Sequence, residues 1–426
     1  MKNSGILKEE LLQGKYSQLF KEIYLDESML EYQSKRYADA ITEFEKLYGE
    51  KEVEVYSAPG RSEVCGNHTD HQLGRVLATS INLDAIAVVS KIEGDLIRIV
   101  SEGYDMVEVD VNDLEEKYEE EGTTAALIRG VVAKVKEEGY NVGGLEAYIT
   151  SDVLIGAGLS SSASFEIIVG TMLSGLFNEM SISPVFLAQA GQFAENVYFG
   201  KPCGLMDQMA CSVGGLIHID FQNPEEPVVE KVPTDFEAYE YSLCIVDTKA
   251  SHADLTEDYA QIPAEMKKVA AFFKKDVLRE VDEKDFYSQI PGLRSILGDR
   301  PVLRALHFFE EEKRVQTQVE ALKRGDFKEF LSLVEKSGSS SFKYLQNIYT
   351  NRNVQNQAMS IALGVSESIL GNHGVCRVHG GGFAGTIQIF VENSFVEEYR
   401  KAMDKVFGSG SCHVLKVRQH GGMQVL

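Results

Sequence analysis

Apolar side chains recur at helical spacing around Ile6–Leu12 and again over Tyr37–Tyr48, so the first fifty residues read as amphipathic helices. The pattern then shortens to strand-like runs at Val53–Ser57, Ala85–Ile92, Ile97–Val100 and Val107–Val111. A helix is predicted after Thr123 or Thr124, with Leu127, Val131 and Val135 on one face. Leu145, Ala147 and Ile149 alternate as a half-buried strand does. Next come Gly156-Ala157-Gly158-Leu159-Ser160-Ser161-Ser162-Ala163-Ser164 and a strong helix carrying Phe165, Ile168, Val169, Met172, Leu173 and Leu176. Ser183-Pro184 supplies an N-cap and a first-turn proline for another helix.

The order changes after about residue 220. Asn223-Pro224 and Pro227 mark a turn-rich joint, which divides the chain into units 1–220 and 221–426. The second unit holds strands at Tyr241–Asp247, Cys376–His379, Thr386–Val391 and His413–Val417. Helices are predicted near 302–323, 327–336 and 394–407, the last with a Ser394/Glu397 capping box. Strands and helices mix without strict alternation, which favours an α+β class over a doubly wound sheet.

Charge and composition narrow the function. The chain has 65 acidic and 42 basic residues among 426, a net charge of −23, which disfavours nucleic acid and anionic lipid as partners. Hydrophobic residues make up 44%, enough for sizeable cores, yet no apolar run is long enough to span a bilayer. The start of the chain, MKNSGILKEELLQGKY, does not read as a secretory signal. The six cysteines are scattered with no CxxC pair, which suits reduced thiols in a cytoplasmic protein better than zinc ligands. The acidic clusters at Glu115–Glu121 and Glu310–Glu312 read as solvated surface.

Four segments carry candidate chemistry. The Gly/Ser run before the long helix offers backbone N–H groups, hydroxyls and a helix N-terminus to an anion such as a phosphate; without a lysine it is not a Walker A loop. The stretch from Ala58 to His71 packs Arg61, Glu63, Asn67, His68, Asp70 and His71 into a turn-rich segment suited to a polyhydroxylated ligand. His68 and His71 flank a spacing that is not a recurring zinc pattern. Asp207, in Cys203-Gly204-Leu205-Met206-Asp207-Gln208, sits among apolar and small residues, so it needs a buried partner, for which Arg61 is a candidate. Finally, His379-Gly380-Gly381-Gly382-Phe383-Ala384-Gly385 permits close approach of another loop or a ligand.

These segments, in this order and together with Phe44–Gly49, resemble the galactokinase family of the GHMP small-molecule kinase superfamily over nearly the whole chain. The resemblance implies a ribosomal-protein-S5-domain-2-like N-terminal domain, a ferredoxin-like α/β-plait C-terminal domain and an active site in the cleft between them. It implies ATP-dependent phosphorylation of the C1 hydroxyl of galactose or a related galacto-configured sugar. ATP phosphates would lie on Gly156, Ala157, Gly158, Leu159, Ser160, Ser161 and Ser162, and Mg2+ on Ser162 and Glu195. Asp207 would be the base or orienting group and Arg61 its partner; Asn67, His68, Thr69, Asp70, Gly204 and Tyr259 would contact the sugar. The glycines at 380–382 would close the site from the second domain. Sugar and ATP would be its partners; the oligomeric state stays open, a monomer included.

The chain departs from the family loop Gly-Arg-Val-Asn-Leu-Ile-Gly-Glu-His-Thr/Ile-Asp-Tyr at three informative places. Glu63 stands at the Asn, Asn67 at the Glu and His71 at the Tyr. The basic residues usual after the tyrosine are replaced by Ala260-Gln261-Ile262-Pro263. Galacturonate, N-acetylgalactosamine and L-arabinose therefore stand beside galactose as substrates, with a non-catalytic sugar/ATP sensor as the competing class. The intact Ala163-Ser164 pair, together with Arg61, Glu195 and Asp207, favours the enzyme.

Overall fold

The computed structural model describes every residue except 155–157, 251–254 and 384, and the side chain of Thr256. Gly156, Ala157 and Ala384 of the expected loops thus lie outside the described residues. Two sheets organise the rest. In the larger one, Glu52–Cys65 and Arg75–Lys91 form a long antiparallel hairpin, with the segment 66–74 as its tip. Leu145–Ser151 continues the sheet beside Arg75–Lys91, then Leu96–Ser101 and Val107–Asp110. The helices Thr124–Glu137, Ser161–Asn178 and Pro184–Phe193 cover one face, with Ile128, Val132, Ile168, Met172 and Leu187 among the buried contacts. The N-terminal helices Ser4–Leu12, Ser17–Tyr24 and Leu30–Tyr48 cover the other through Phe20, Tyr37, Ile41 and Phe44.

The smaller sheet comprises Tyr241–Asp247, Gly374–Val378, Thr386–Glu392 and Cys412–Leu415, all antiparallel. Read in chain order, its strands lie second, third, first, fourth across the sheet. A helix, Val396–Phe407, joins the last two. That is the ferredoxin-like plait the resemblance implies, elaborated by the helices Thr256–Phe272, Glu283–Leu297, Asp299–Lys323 and Phe327–Ser340, with Ala358–Leu370 leading into the second strand.

Several local expectations are corrected. The stretch from Ala58, expected as loop, is strand as far as Cys65. Its register slips between Pro59 and Arg61 and again between Glu63 and Cys65, so the first break absorbs Pro59-Gly60 without ending the strand. The Ser394/Glu397 capping box is absent: Ser394 lies in a short 3-10 turn, and the helix starts at Val396 after Phe395 with no side-chain cap. By contrast, Ser183 Oγ does accept from Phe186 N at 3.1 Å, and Thr123 Oγ1 from Ala126 N at 3.4 Å. The strands Leu216–Asp220, Val228–Lys231 and Met423–Gln424 were not expected.

Two segments beyond residue 220 rejoin the larger sheet. Val228–Lys231 pairs with Leu216–Asp220, and Met423–Gln424 pairs with Tyr56-Ser57. Just before that last strand, Arg418 donates to Asp84 Oδ2 at 2.9 Å and to Ser57 Oγ at 2.7 Å. Asp84 is fully buried and also accepts from Arg36 at 2.7 Å and Tyr24 at 2.8 Å. Burial disfavours its charge, but Arg36 and Arg418 outweigh it and hold the carboxyl below the usual range.

Candidate active site

The centre of the candidate site is an ion pair between residues 146 positions apart. Arg61 Nε donates to Asp207 Oδ1 and its Nη2 to Oδ2, both at 2.7 Å, in a bidentate fork. Arg61 stands on the long strand Glu52–Cys65, and Asp207 in the first turn of the helix Met206–Val213. The remaining Arg61 nitrogen donates to Gly158 O, and Ser160 Oγ donates to Asp207 Oδ2. Burial raises the Asp207 pKa, but Arg61 and the Ser160 hydroxyl prevail and keep it below the ordinary carboxylate range. The result is an ionised carboxylate with about a third of its side chain still exposed.

Ser160 holds a left-handed backbone, φ 59°, at the N-cap of the helix Ser161–Asn178. Its hydroxyl is spent on Asp207 rather than on the helix, and among the described residues no side chain caps that end. A helix that begins uncapped keeps its first N–H groups for an external acceptor. One turn in, Ser162 Oγ lies 3.4 Å from Glu195 Oε1. Glu195 sits in a single π-turn, Ala194–Tyr198, and is 3% exposed. Lys201 Nζ donates to Glu195 Oε1 at 2.8 Å, and Gln208 Nε2 to Oε2 at 2.9 Å. Gln208 also donates to Glu166 Oε2 at 3.0 Å. Burial, reinforced by Glu195, pushes the Glu166 carboxyl well up. Glu166, Lys201 and Gln208 were not singled out in the sequence. A glutamate on the buried face of the long helix was the one visible signal.

The hairpin tip forms the neighbouring wall. His68 Nε2 faces Gly381 O at 3.0 Å, so that nitrogen carries the proton and donates. Burial, with His71 nearby, pushes the imidazole pKa down to about 3, which leaves the ring neutral. Its other nitrogen, Nδ1, is then a buried acceptor, and among the described residues it has no partner. The ring lies between His71 and Tyr259, at centroid distances of 5.7 and 5.0 Å. Tyr259 Oη meets His71 Nε2 at 3.1 Å; burial, with Asp70 and Asp207 nearby, raises the phenol and keeps it neutral. Asp70 faces Gly204: a Cβ built on Gly204 would stand 1.8 Å from Asp70 Oδ2. Gly204→Ala is therefore expected to displace the Asp70 carboxylate. With Asp70 on the sugar, as the resemblance implies, loss of one charge-assisted hydrogen bond, about 1.5–3 kcal/mol, predicts a rise of about tenfold or more in the sugar KM. The KM for ATP should hold; equal changes in both would contradict the assignment.

Thr69 and Asn67 are placed differently from the expectation that they contact sugar. Thr69 is fully buried, and its hydroxyl donates within the tip to Gly66 O at 2.8 Å and Arg75 O at 2.6 Å. Asn67 is also fully buried. Its amide donates to Glu63 Oε2 at 3.0 Å and Gly380 O at 2.7 Å, and accepts from Asn347 at 2.8 Å and Ser341 at 3.2 Å. Its hydrogen-bonding capacity is filled by protein. Glu63 in turn accepts from the fully buried Arg377 at 2.7 Å. The Glu and Asn that stand exchanged relative to the family loop thus bind each other beneath the cleft. Gly382, at φ +82°, lets the glycine-rich loop pass Asn347, whose carbonyl would be 2.0 Å from an added Cβ.

Residues 42–91 match the galactokinase galactose-binding signature, and residues 126–215 match the GHMP kinases N terminal domain. A galactokinase of Streptomyces coelicolor is 30% identical over 381 residues, 88% of this chain and 94% of that protein. The chain belongs to the galactokinase family. It is accordingly an ATP-dependent sugar kinase with the GHMP fold. A galactokinase of Thermotoga maritima is 31% identical over 362 residues, 82% of this chain and 95% of that one. In structure, Lactococcus lactis galactokinase complexed with galactose superposes with a TM-score of 0.76 at 24% identity, covering 90% of this chain and 98% of that one. Among the described residues no helix is long and apolar enough to cross a membrane.

Proposed function

We propose that this galactokinase-family chain transfers the γ-phosphoryl group of ATP to the C1 hydroxyl of galactose, giving sugar 1-phosphate and ADP. The observation that carries the reading is the Arg61–Asp207 fork, held against Gly158 and Ser160 at the uncapped start of a helix. Phosphoryl transfer depends on alignment and charge neutralisation more than on covalent help. Asp207, kept ionised, accepts or orients the proton of the attacking hydroxyl, while Arg61 fixes its direction and faces the transferring group. Phosphates rest on Gly158–Ser162, with Gly156 and Ala157 completing the loop by resemblance. Asp70, the open Nδ1 of His68, Gly204 and Tyr259 form the sugar side, whereas Asn67 and Thr69 act by shaping the tip. Two units, 1–220 and 221–426, supply the walls, and the segments 228–231 and 423–424 tie the second back to the first.

Magnesium fits the remaining groups. A buried carboxylate oxygen and a hydroxyl 3.4 Å apart, Glu195 and Ser162, are hard oxygen donors of the kind the ion selects. Magnesium bound there would neutralise phosphate charge, and the nucleotide would complete its shell.

The test is ATP consumption with magnesium across galactose, galacturonate, N-acetylgalactosamine and L-arabinose, wild type beside Asp207→Ala. Galactose turnover is expected, falling about 10²–10⁴-fold in the variant. Sugar binding without turnover of any sugar would establish a sensor instead. Undiminished turnover in Asp207→Ala would remove that residue from the mechanism.

A further inference from the structure

One cation near the site has no role in the reading above. Lys201 follows the π-turn that carries Glu195 and precedes the helix that carries Asp207. Its backbone is fixed, because Lys201 N donates to Glu195 O at 3.0 Å. Its side chain is not enclosed: 62% of it is exposed, although Nζ reaches the buried carboxylate of Glu195 at 2.8 Å. A carboxylate buried to that degree requires a counter-charge, and the ammonium provides it. The oxygen it occupies, Glu195 Oε1, is the one that faces Ser162 Oγ.

A divalent cation shared by Ser162 and Glu195 would claim that same oxygen. An ammonium and a divalent cation crowded on one carboxylate repel each other strongly where water is scarce. The exposed lysine stem is free to swing while its backbone stays anchored, and Ser162, on the turn read above as the phosphate site, shares the Glu195 oxygen that Nζ now occupies.

We propose that Lys201 is a phosphate-binding residue held in reserve: it neutralises Glu195 before nucleotide arrives, then moves to the nucleotide phosphates when the divalent cation takes Glu195. This rests on the reading of Ser162 and Glu195 as magnesium ligands. The lysine that the Gly/Ser loop lacks is, on this view, supplied from another segment.

Two measurements on the full chain test it, using Mn2+ as the probe metal. In nucleotide-free protein, Lys201→Met should tighten Mn2+ binding several-fold, because a competing charge is gone. In turnover, the same variant should raise the KM for Mg-ATP about tenfold, the worth of one charge-assisted contact, with sugar KM unchanged. Lys201→Arg should restore the ATP KM at least in part. An unchanged ATP KM in Lys201→Met overturns the proposal whatever the metal result, since the lysine is then only a counter-ion. Weaker or unchanged Mn2+ binding overturns it too. Glu195→Gln separates the two readings: if it leaves Mn2+ binding and the magnesium requirement as in wild type, the magnesium assignment itself fails. If Glu195→Gln abolishes Mn2+ binding while Lys201→Met has neither effect, the reserve role alone fails.

Discussion

Arg61→Ala is expected to lower sugar phosphorylation by about a thousandfold or more, the scale at which an arginine facing a transferring phosphoryl group contributes. The variant removes both prongs of the 2.7 Å fork and the tie to Gly158 O in one step. It also changes the pH profile, and the sign is fixed by the forces on Asp207. Burial opposes the charge of this carboxylate; Arg61 and Ser160 hold its pKa below the ordinary value. In the wild type, the active ionised form therefore persists into acid. Without Arg61 the effect of burial is less opposed, the pKa rises, and the acid limb of kcat moves toward neutral pH. A loss of rate with an unmoved acid limb would show that Arg61 serves the phosphoryl group alone.

The second large effect concerns the exchange at 63 and 67. Restoring the family order with Glu63→Asn and Asn67→Glu conserves composition, yet it is expected to destabilise the protein by about 3–5 kcal/mol. Arg377, fully buried, would lose its carboxylate partner, and a new carboxylate would be forced against Gly380 O in a space sized for an amide. Denaturant unfolding of the double variant measures the loss, and the sugar KM should rise as the tip loosens. A variant as stable as wild type with the same sugar KM would mean that the Glu63–Asn67–Arg377 contacts contribute nothing. The same geometry sets the terms of the proposed sugar side: the Asn67 amide is filled by Glu63, Gly380, Asn347 and Ser341, so any influence it has on the sugar would run through the tip and the glycine-rich loop.

Much of this could be read beforehand where chemistry is local. The helix Ser161–Asn178 announces itself by the spacing of Ile168, Met172 and Leu173, all buried, and Ser183 announces its cap. The strand through Pro59-Gly60 was hidden because turn-forming residues were accommodated at register breaks, which depend on the partner strand rather than on the segment itself. Arg61 could be suspected as the partner of Asp207, since a buried carboxylate demands a cation. Asn67 could not be seen to be buried, because the distant groups that fill it, Asn347, Ser341 and Gly380, come from 280, 274 and 313 residues away in the chain and carry no signal there. Lys201 escaped for the opposite reason: an exposed lysine looks like solvated surface until its ammonium is located on a buried glutamate.

Because Arg418 completes the Asp84 cluster and Met423–Gln424 adds to the strand at Tyr56-Ser57, the amino-terminal half cannot finish its own construction while the ribosome still holds residues 418–424. Its buried aspartate has Arg36 from the start but waits for a second counter-ion, Arg418, synthesised more than 330 residues later. Vectorial synthesis thus leaves the amino-terminal half provisional until residues 418–424 have emerged. An isolated fragment ending near residue 220 would inherit that half-built state permanently.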